Sequence, residues 1–175
     1  MDNLPDINIV IAKLNEDGTS SFAAGDSVST FFPGVIGGAF VWATKGMPQI
    51  PGNVGSVPED MSLPQPGDTK FGMMVFPPRS AGKLDMRSSL GTDGTVLEVD
   101  EHDFGMHRTA TIDYEVIISG KVDIQLANGE IATLTPGTWL VMAGAMHSWQ
   151  NRYDEPCVCA LFVVGANNNE PINQI

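Results

Sequence analysis

The stretch HRTATIDYEVIISG, residues 107–120, decides how this chain folds. Alternate side chains of a β-strand share a face, so positions 107, 109, 111, 113 and 115 point one way. If the sheet closes into a barrel, that way is inward, and His107, Thr109, Asp113 and Glu115 look into one cavity. Arg108 has the opposite parity. Ser119-Gly120-Lys121 follows the apolar run Val116 to Ile118 and precedes the alternating Val122, Ile124 and Leu126, which reads as a hairpin turn. A second hairpin is expected at Asn128-Gly129 and a further turn at Pro136-Gly137. Short strands between closely spaced turns describe an antiparallel, all-β protein.

A second stretch, GTWLVMAGAMHSWQN at residues 137–151, carries the other histidine of interest, His147. Trp149 and Asn151 share its parity, and Met142 and Met146 sit close by. Phe76 and Trp42 are expected to add to an aromatic wall. Arg152 has the wrong parity to face inward. Such a cavity, apolar with a few polar groups, suits a small hydrophobic or aromatic metabolite; a sugar phosphate would call for an inward Arg or Lys. His102, in Asp100-Glu-His102-Asp-Phe, reads as a surface residue.

These two stretches resemble the two motifs of the cupin family. In its first motif a His is followed two residues on by a second His, four further on by a Glu and seven beyond that by a Gly. His107, Thr109, Asp113 and Gly120 keep this register, with Thr109 in place of the second His and Asp113 in place of the Glu. In the second motif a Gly precedes its His by three residues and an Asn follows it by four, as Gly144, His147 and Asn151 do; Met142 stands where a Pro is usual. The resemblance implies a single cupin barrel, a double-stranded β-helix or jelly roll, here with extra N-terminal strands. It extends to Val41-Trp-Ala-Thr-Lys-Gly46 and Phe76-Pro-Pro, and is similar to small cupin-domain proteins of bacteria and of fungal polyketide clusters. For that group the implied roles are tailoring steps such as dehydration, cyclisation or isomerisation.

Composition agrees with a turn-rich, well-packed chain: 42% hydrophobic, 17% charged, 19 Gly and 12 Pro in 175 residues. Helix is expected to be scarce, because Gly or Pro interrupts nearly every window that a 3.6-residue period would need. A net charge of −12 with nine scattered basic residues excludes nucleic acid as a partner, which demands a Lys/Arg surface. The run Ile7 to Ala12 is too short for a signal core and follows Asp2 and Asp6, so no membrane partner and a cytoplasmic location are expected. Cys157 and Cys159 would share one strand face, a geometry that disfavours a disulfide between them and makes them reduced core residues.

One structural domain is expected, in three parts. Residues 1–70 hold strands at Ile7 to Leu14 and Ala39 to Ala43 and a Pro/Gly-rich arm from Thr44 to Lys70, either a lid, a subunit arm or a plain surface excursion. Residues 71–166 form the barrel, and 167–175 a tail. A homodimer is expected, with the early strands and the arm as a route to exchange between subunits.

Three functions of different class follow. The first is a lyase or isomerase acting on a small hydrophobic, aromatic or polyketide-type carbonyl compound, with His107, His147 and Glu115 as catalytic groups. The second is a non-haem iron dioxygenase with His107, Asp113 and His147 as ligands, where Mn or Zn as the one divalent metal would instead serve the first reading. The third is a cupin pocket that binds a small molecule without turnover. The site is either metal-bearing or metal-free, and Thr109, a poor ligand where the family has a His, weakens the metal.

Overall fold

Residues 111–118 alternate in burial, with odd positions covered and Tyr114 and Ile118 exposed, as one strand with an inward and an outward face requires. In the computed structural model, which describes residues 7–23, 27–28, 35–89 and 93–169, that strand lies in an all-β molecule. The described strands are β1 (Ile7–Asn8), β2 (Ile11–Leu14), β3 (Ser20–Ala23), β4 (Ser27–Val28), β5 (Gly37–Thr44), β6 (Thr69–Phe76) and β7 (Val96–Val99). They continue with β8 (His107–Thr109), β9 (Thr111–Ser119), β10 (Val122–Leu126), β11 (Ile131–Leu134), β12 (Trp139–Ala143), β13 (His147–Gln150) and β14 (Cys157–Gly165). The only helical piece among the described residues is a 3-10 turn at Arg87–Ser89. No helix there is long and apolar enough to cross a membrane.

Two antiparallel five-stranded sheets face each other: sheet I in the order β11-β10-β13-β8-β7 and sheet II in the order β12-β9-β14-β6-β5. The segment β8-β9 pairs with β12-β13, one strand of each in each sheet. This nesting is the jelly roll implied by the cupin resemblance. The core between the sheets contains Phe76, Ile117, Val122, Ile124, Leu134, Met142, Trp149, Cys157 and Cys159, all of them buried.

Several local expectations need correction. Residues 107–115 are not one strand: the chain bends at Ala110 and passes from sheet I to sheet II. Ser119-Gly120-Lys121 is not a hairpin either, since β9 and β10 belong to different sheets and do not pair. Gly120 is needed there for two reasons, its φ of +68° and the lack of room, because a Cβ would lie 2.0 Å from the Pro156 carbonyl oxygen. The Asn128-Gly129 turn does close the β10–β11 hairpin, with Gly129 at φ +86°. The Pro136-Gly137 turn joins β11 to β12 across the sheets.

The stretch Ile7 to Leu14 is two strands, each paired locally. Around Asn15 to Gly18 the Asp17 carboxylate accepts from both the backbone and the hydroxyl of Thr19, which sets the register of β2 on β3. Of the N-terminal strands only β5 joins the barrel, as the edge of sheet II beside β6. The arm between β5 and β6 contains a single bridge, Ser56 to Ala43. It is held at two points. Trp42 Nε1 donates to the Val54 carbonyl at 2.9 Å, and the buried Lys70 ammonium reaches Asp60 Oδ1 at 3.0 Å and the Ser62 carbonyl at 2.7 Å. The Ser62 hydroxyl and Lys70 hold the Asp60 carboxyl down to about 2, so Asp60 is ionised at any ordinary pH. Residues 170–175 of the tail lie outside the described residues.

Candidate active site

Two imidazoles meet on sheet I. His107 of β8 and His147 of β13 are direct cross-strand partners, with ring centroids 4.6 Å apart and planes tilted by 45°. One local device orients both rings. Nδ1 of His107 lies 2.9 Å from the Gly105 carbonyl and Nδ1 of His147 lies 2.8 Å from the Ala145 carbonyl. A carbonyl can only accept, so each Nδ1 carries a hydrogen and each neutral ring keeps Nε2 as an acceptor. Burial removes the water that would stabilise an imidazolium. It lowers the His107 pKa and pushes that of His147 down to about 4, with the neighbouring His107 as a second cause.

The acids stand on the opposite wall. Asp113 and Glu115 project from β9 in sheet II. Burial raises the Asp113 carboxyl to about 6, against the opposing hydrogen bond of Thr111. Burial, reinforced by the Asp113 charge, raises Glu115 to about 8, opposed by the thiol of Cys159, whose Sγ lies 3.4 Å from Glu115 Oε2. At neutral pH one cavity therefore presents two neutral imidazoles, an ionised Asp113 and a protonated Glu115. Cys157 and Cys159 are both free and buried, as expected. Burial raises the Cys157 thiol to about 11 and that of Cys159 further still, so both remain uncharged.

The cavity has a volume of about 600 Å³, within the range of small-molecule sites. Phe40, Met74, Trp149, Leu161 and Val163 give it an apolar wall, and Met61 and Leu63 of the arm close one side. The Lys70 clamp thus fixes a lining segment, and the arm is more than a surface excursion. Lys83 is the basic residue of the lining, coming from the loop after β6. Sequence reading missed Lys83, the arm residues and the β14 residues. The inward parity that Leu161 and Val163 share with Cys159 was a usable signal; the approach of the arm and of the Lys83 loop was not encoded in any spacing.

Of the expected lining, His107, Thr109, Asp113, Glu115, His147 and Trp149 are in place. Four other residues are not. Asn151 is wholly buried and structural: its Nδ2 donates to the carbonyls of Phe76 and Glu155, and its Oδ1 accepts from Tyr153 N. Phe76 stands behind the wall, stacked on Trp149 at 4.7 Å between centroids. Met142 packs deeper in the core, and Trp42 is turned toward the arm. His102 is exposed and outside the cavity. Arg108 and Arg152 point away, toward Glu98 and Asp123, each at 2.8 Å.

A divalent metal would need a third protein ligand beside the imidazoles. Asp113 Oδ1 is buried without a hydrogen-bond partner, which is one feature of a ligand. Yet among the described residues no three His, Cys, Asp or Glu side chains form a group that could hold an ion. Among the described residues the expected centre of His107, Asp113 and His147 is not assembled; the two histidines stand on sheet I and Asp113 on the facing sheet II. Thr109, in the position of the family's second His, spends its hydroxyl on Thr111 Oγ1 at 2.7 Å. The donor set does not fit a three-ligand centre.

No family model matches the chain. Phomopsin biosynthesis cluster protein C′ of Diaporthe leptostromiformis is 45% identical over 47 residues, 27% of this chain and 25% of that protein. A cupin-domain-containing oxidoreductase of Neurospora crassa is 38% identical over 50 residues, 29% of this chain and 26% of that protein. These matches span about a quarter of each curated relative's length. Among solved structures, the cupin domain of Schizosaccharomyces pombe Cnp3 aligns with a TM-score of 0.49 at 12% identity, covering 90% of this chain and 87% of that one. A Cupin_2 domain of an XRE-family transcriptional regulator from Enterobacter cloacae aligns with a TM-score of 0.37 at 18% identity, covering 57% of this chain and 83% of that one.

Proposed function

We propose that this protein is an acid–base lyase or isomerase acting on a small apolar carbonyl compound. One observation carries the reading: two facing sheets set a pair of imidazoles, each with Nδ1 on a backbone carbonyl, on one wall of a cavity and the buried carboxyl of Glu115 on the other. Environments that drive the pKa values of neighbouring groups apart assign the base and the acid.

In this reading an imidazole Nε2 takes the proton from the carbon next to the substrate carbonyl. The Glu115 carboxyl hydrogen-bonds the carbonyl oxygen and carries the developing charge. Return of the proton to a different carbon completes an isomerisation. If the substrate bears a β-hydroxyl, Glu115 instead gives its proton to that oxygen, the carbon–oxygen bond breaks, and water leaves with a new carbon–carbon double bond. The imidazolium proton then restores Glu115, so protons balance over the cycle. The orphaned Asp113 Oδ1 offers an acceptor for a substrate hydroxyl, and Trp149, Met74 and Leu161 exclude water. A tailoring step in secondary metabolism fits both this chemistry and the names of the biosynthetic-cluster relatives. The oxidoreductase name belongs to the Neurospora crassa protein.

The pH dependence of turnover tests the assignment. With a panel of small β-hydroxy ketones, followed by the absorbance of the enone formed, kcat/KM should fall above about pH 8 as Glu115 ionises and below about pH 4 as His147 takes up a proton. A rate that climbs through pH 8 would make Glu115 a base and overturn the roles. Stoichiometric iron in protein purified without chelator, together with oxygen uptake, would replace this reading by the dioxygenase. A tightly bound panel member that is never converted would replace it by the binding pocket.

A further inference from the structure

The outward face of sheet II is apolar over β12, β9 and β14 and as far as Phe71 of β6. On β9, β14 and β6 the inward positions build the cavity and core, and the outward positions, Thr69 and Ser119 at the strand ends apart, are again apolar instead of polar. An antiparallel sheet with one face in water alternates apolar with polar, and a strand apolar on both faces is the mark of a sheet covered on both sides. In register across the strands, Val141 is opposite Tyr114, Tyr114 opposite Phe162, and Phe162 opposite Phe71. Trp139 and Ile118 extend the same face. Exposure is 79% for Trp139, 62% for Val141, 58% for Ile118, 49% for Phe71, 46% for Tyr114 and 39% for Phe162.

We propose that this face is covered by a second copy of the chain, packed sheet on sheet. Three features select that occupant. With aromatic side chains at about 150–250 Å² each, the six residues present roughly 600 Å², at the upper end of what monomers leave bare and close to the ~800 Å² per partner of a stable pair. The face carries no charged side chain although the chain as a whole has a net charge of −12, so it offers a differently charged partner nothing to recognise, while two copies can meet here without like-charge repulsion at the contact. An apolar sheet face repeated by a two-fold axis meets the same face on its partner, as an isologous contact requires. Tyr114 and Phe162, stacked with centroids 6.3 Å apart, form a rigid centre of the kind that dominates interface energy. The face is distinct from the early strands and the arm, and it does not depend on the catalytic reading.

Sedimentation equilibrium tests it. The intact chain should sediment with twice its 18.7 kDa mass at tens of micromolar. Trp139→Glu and, separately, Ile118→Lys should each weaken the pair by roughly 100-fold while circular dichroism and cooperative unfolding stay unchanged. Ile131→Lys, equally exposed at 55% but on the edge of sheet I, should leave it intact. A monomeric wild-type chain, a pair indifferent to both charges, or a monomer that binds phosphatidylcholine vesicles through this face would overturn the proposal.

Discussion

His147→Ala is expected to lower turnover of the β-hydroxy ketone panel by about 10²–10⁴-fold, the contribution of a placed acid–base group. The loss should fall on kcat and kcat/KM together, since Nε2 acts on the reacting atoms and supplies little ground-state binding. The fold should survive, because β13 is held by its backbone ladders to β10 and β8, which alanine keeps. Circular dichroism and the shape of the unfolding transition check this. A variant with wild-type turnover removes His147 from the chemistry.

Glu115→Gln should make the protein more stable at alkaline pH and leave it nearly unchanged in acid. The folded-state pKa of Glu115 is about 8, against an ordinary value of 4.5. Between those values the folded protein holds a proton that the unfolded chain has released, so stability falls as pH rises through this window. Glutamine keeps the neutral shape and cannot ionise. The gap between variant and wild type should thus be close to zero at pH 4 and reach roughly 5 kcal/mol by pH 9, for a side chain only 4% exposed. Urea denaturation across that range measures it. The same variant should lose the acid role in turnover, so a gain in stability with a loss of activity identifies a group held against its own solvation preference.

Much of the barrel was legible because its determinants are local. The period-two pattern in residues 107–120 and the turns at Asn128-Gly129 and Pro136-Gly137 fix strand limits by backbone geometry, and His107 and His147 fall on the inward parity of two such strands. What failed was whatever depends on which sheet a strand joins. Parity rightly turns Asp113 and Glu115 inward, but it is silent on the bend at Ala110 that puts them across the cavity from the imidazoles instead of beside them. The expected metal triad is split between the two walls for that reason. Asn151 failed for another: an amide with the right parity at a strand end finds backbone partners sooner than a ligand. The outward face of sheet II left a signal that went unread, apolar residues at both parities in Val116 to Ile118 and in Val158 to Val164.

The central claim is that His107 and His147 are neutral near pH 7, each with its hydrogen on Nδ1 and its lone pair on Nε2. Nitrogen-15 NMR of the histidine side chains, followed from pH 4 to pH 9, measures this without any substrate. Two rings in the Nδ1–H form, uncharged throughout the neutral range and with His147 taking up a proton only near pH 4, are the predicted result. An imidazolium at either position at pH 7, or hydrogens on Nε2, would contradict the account.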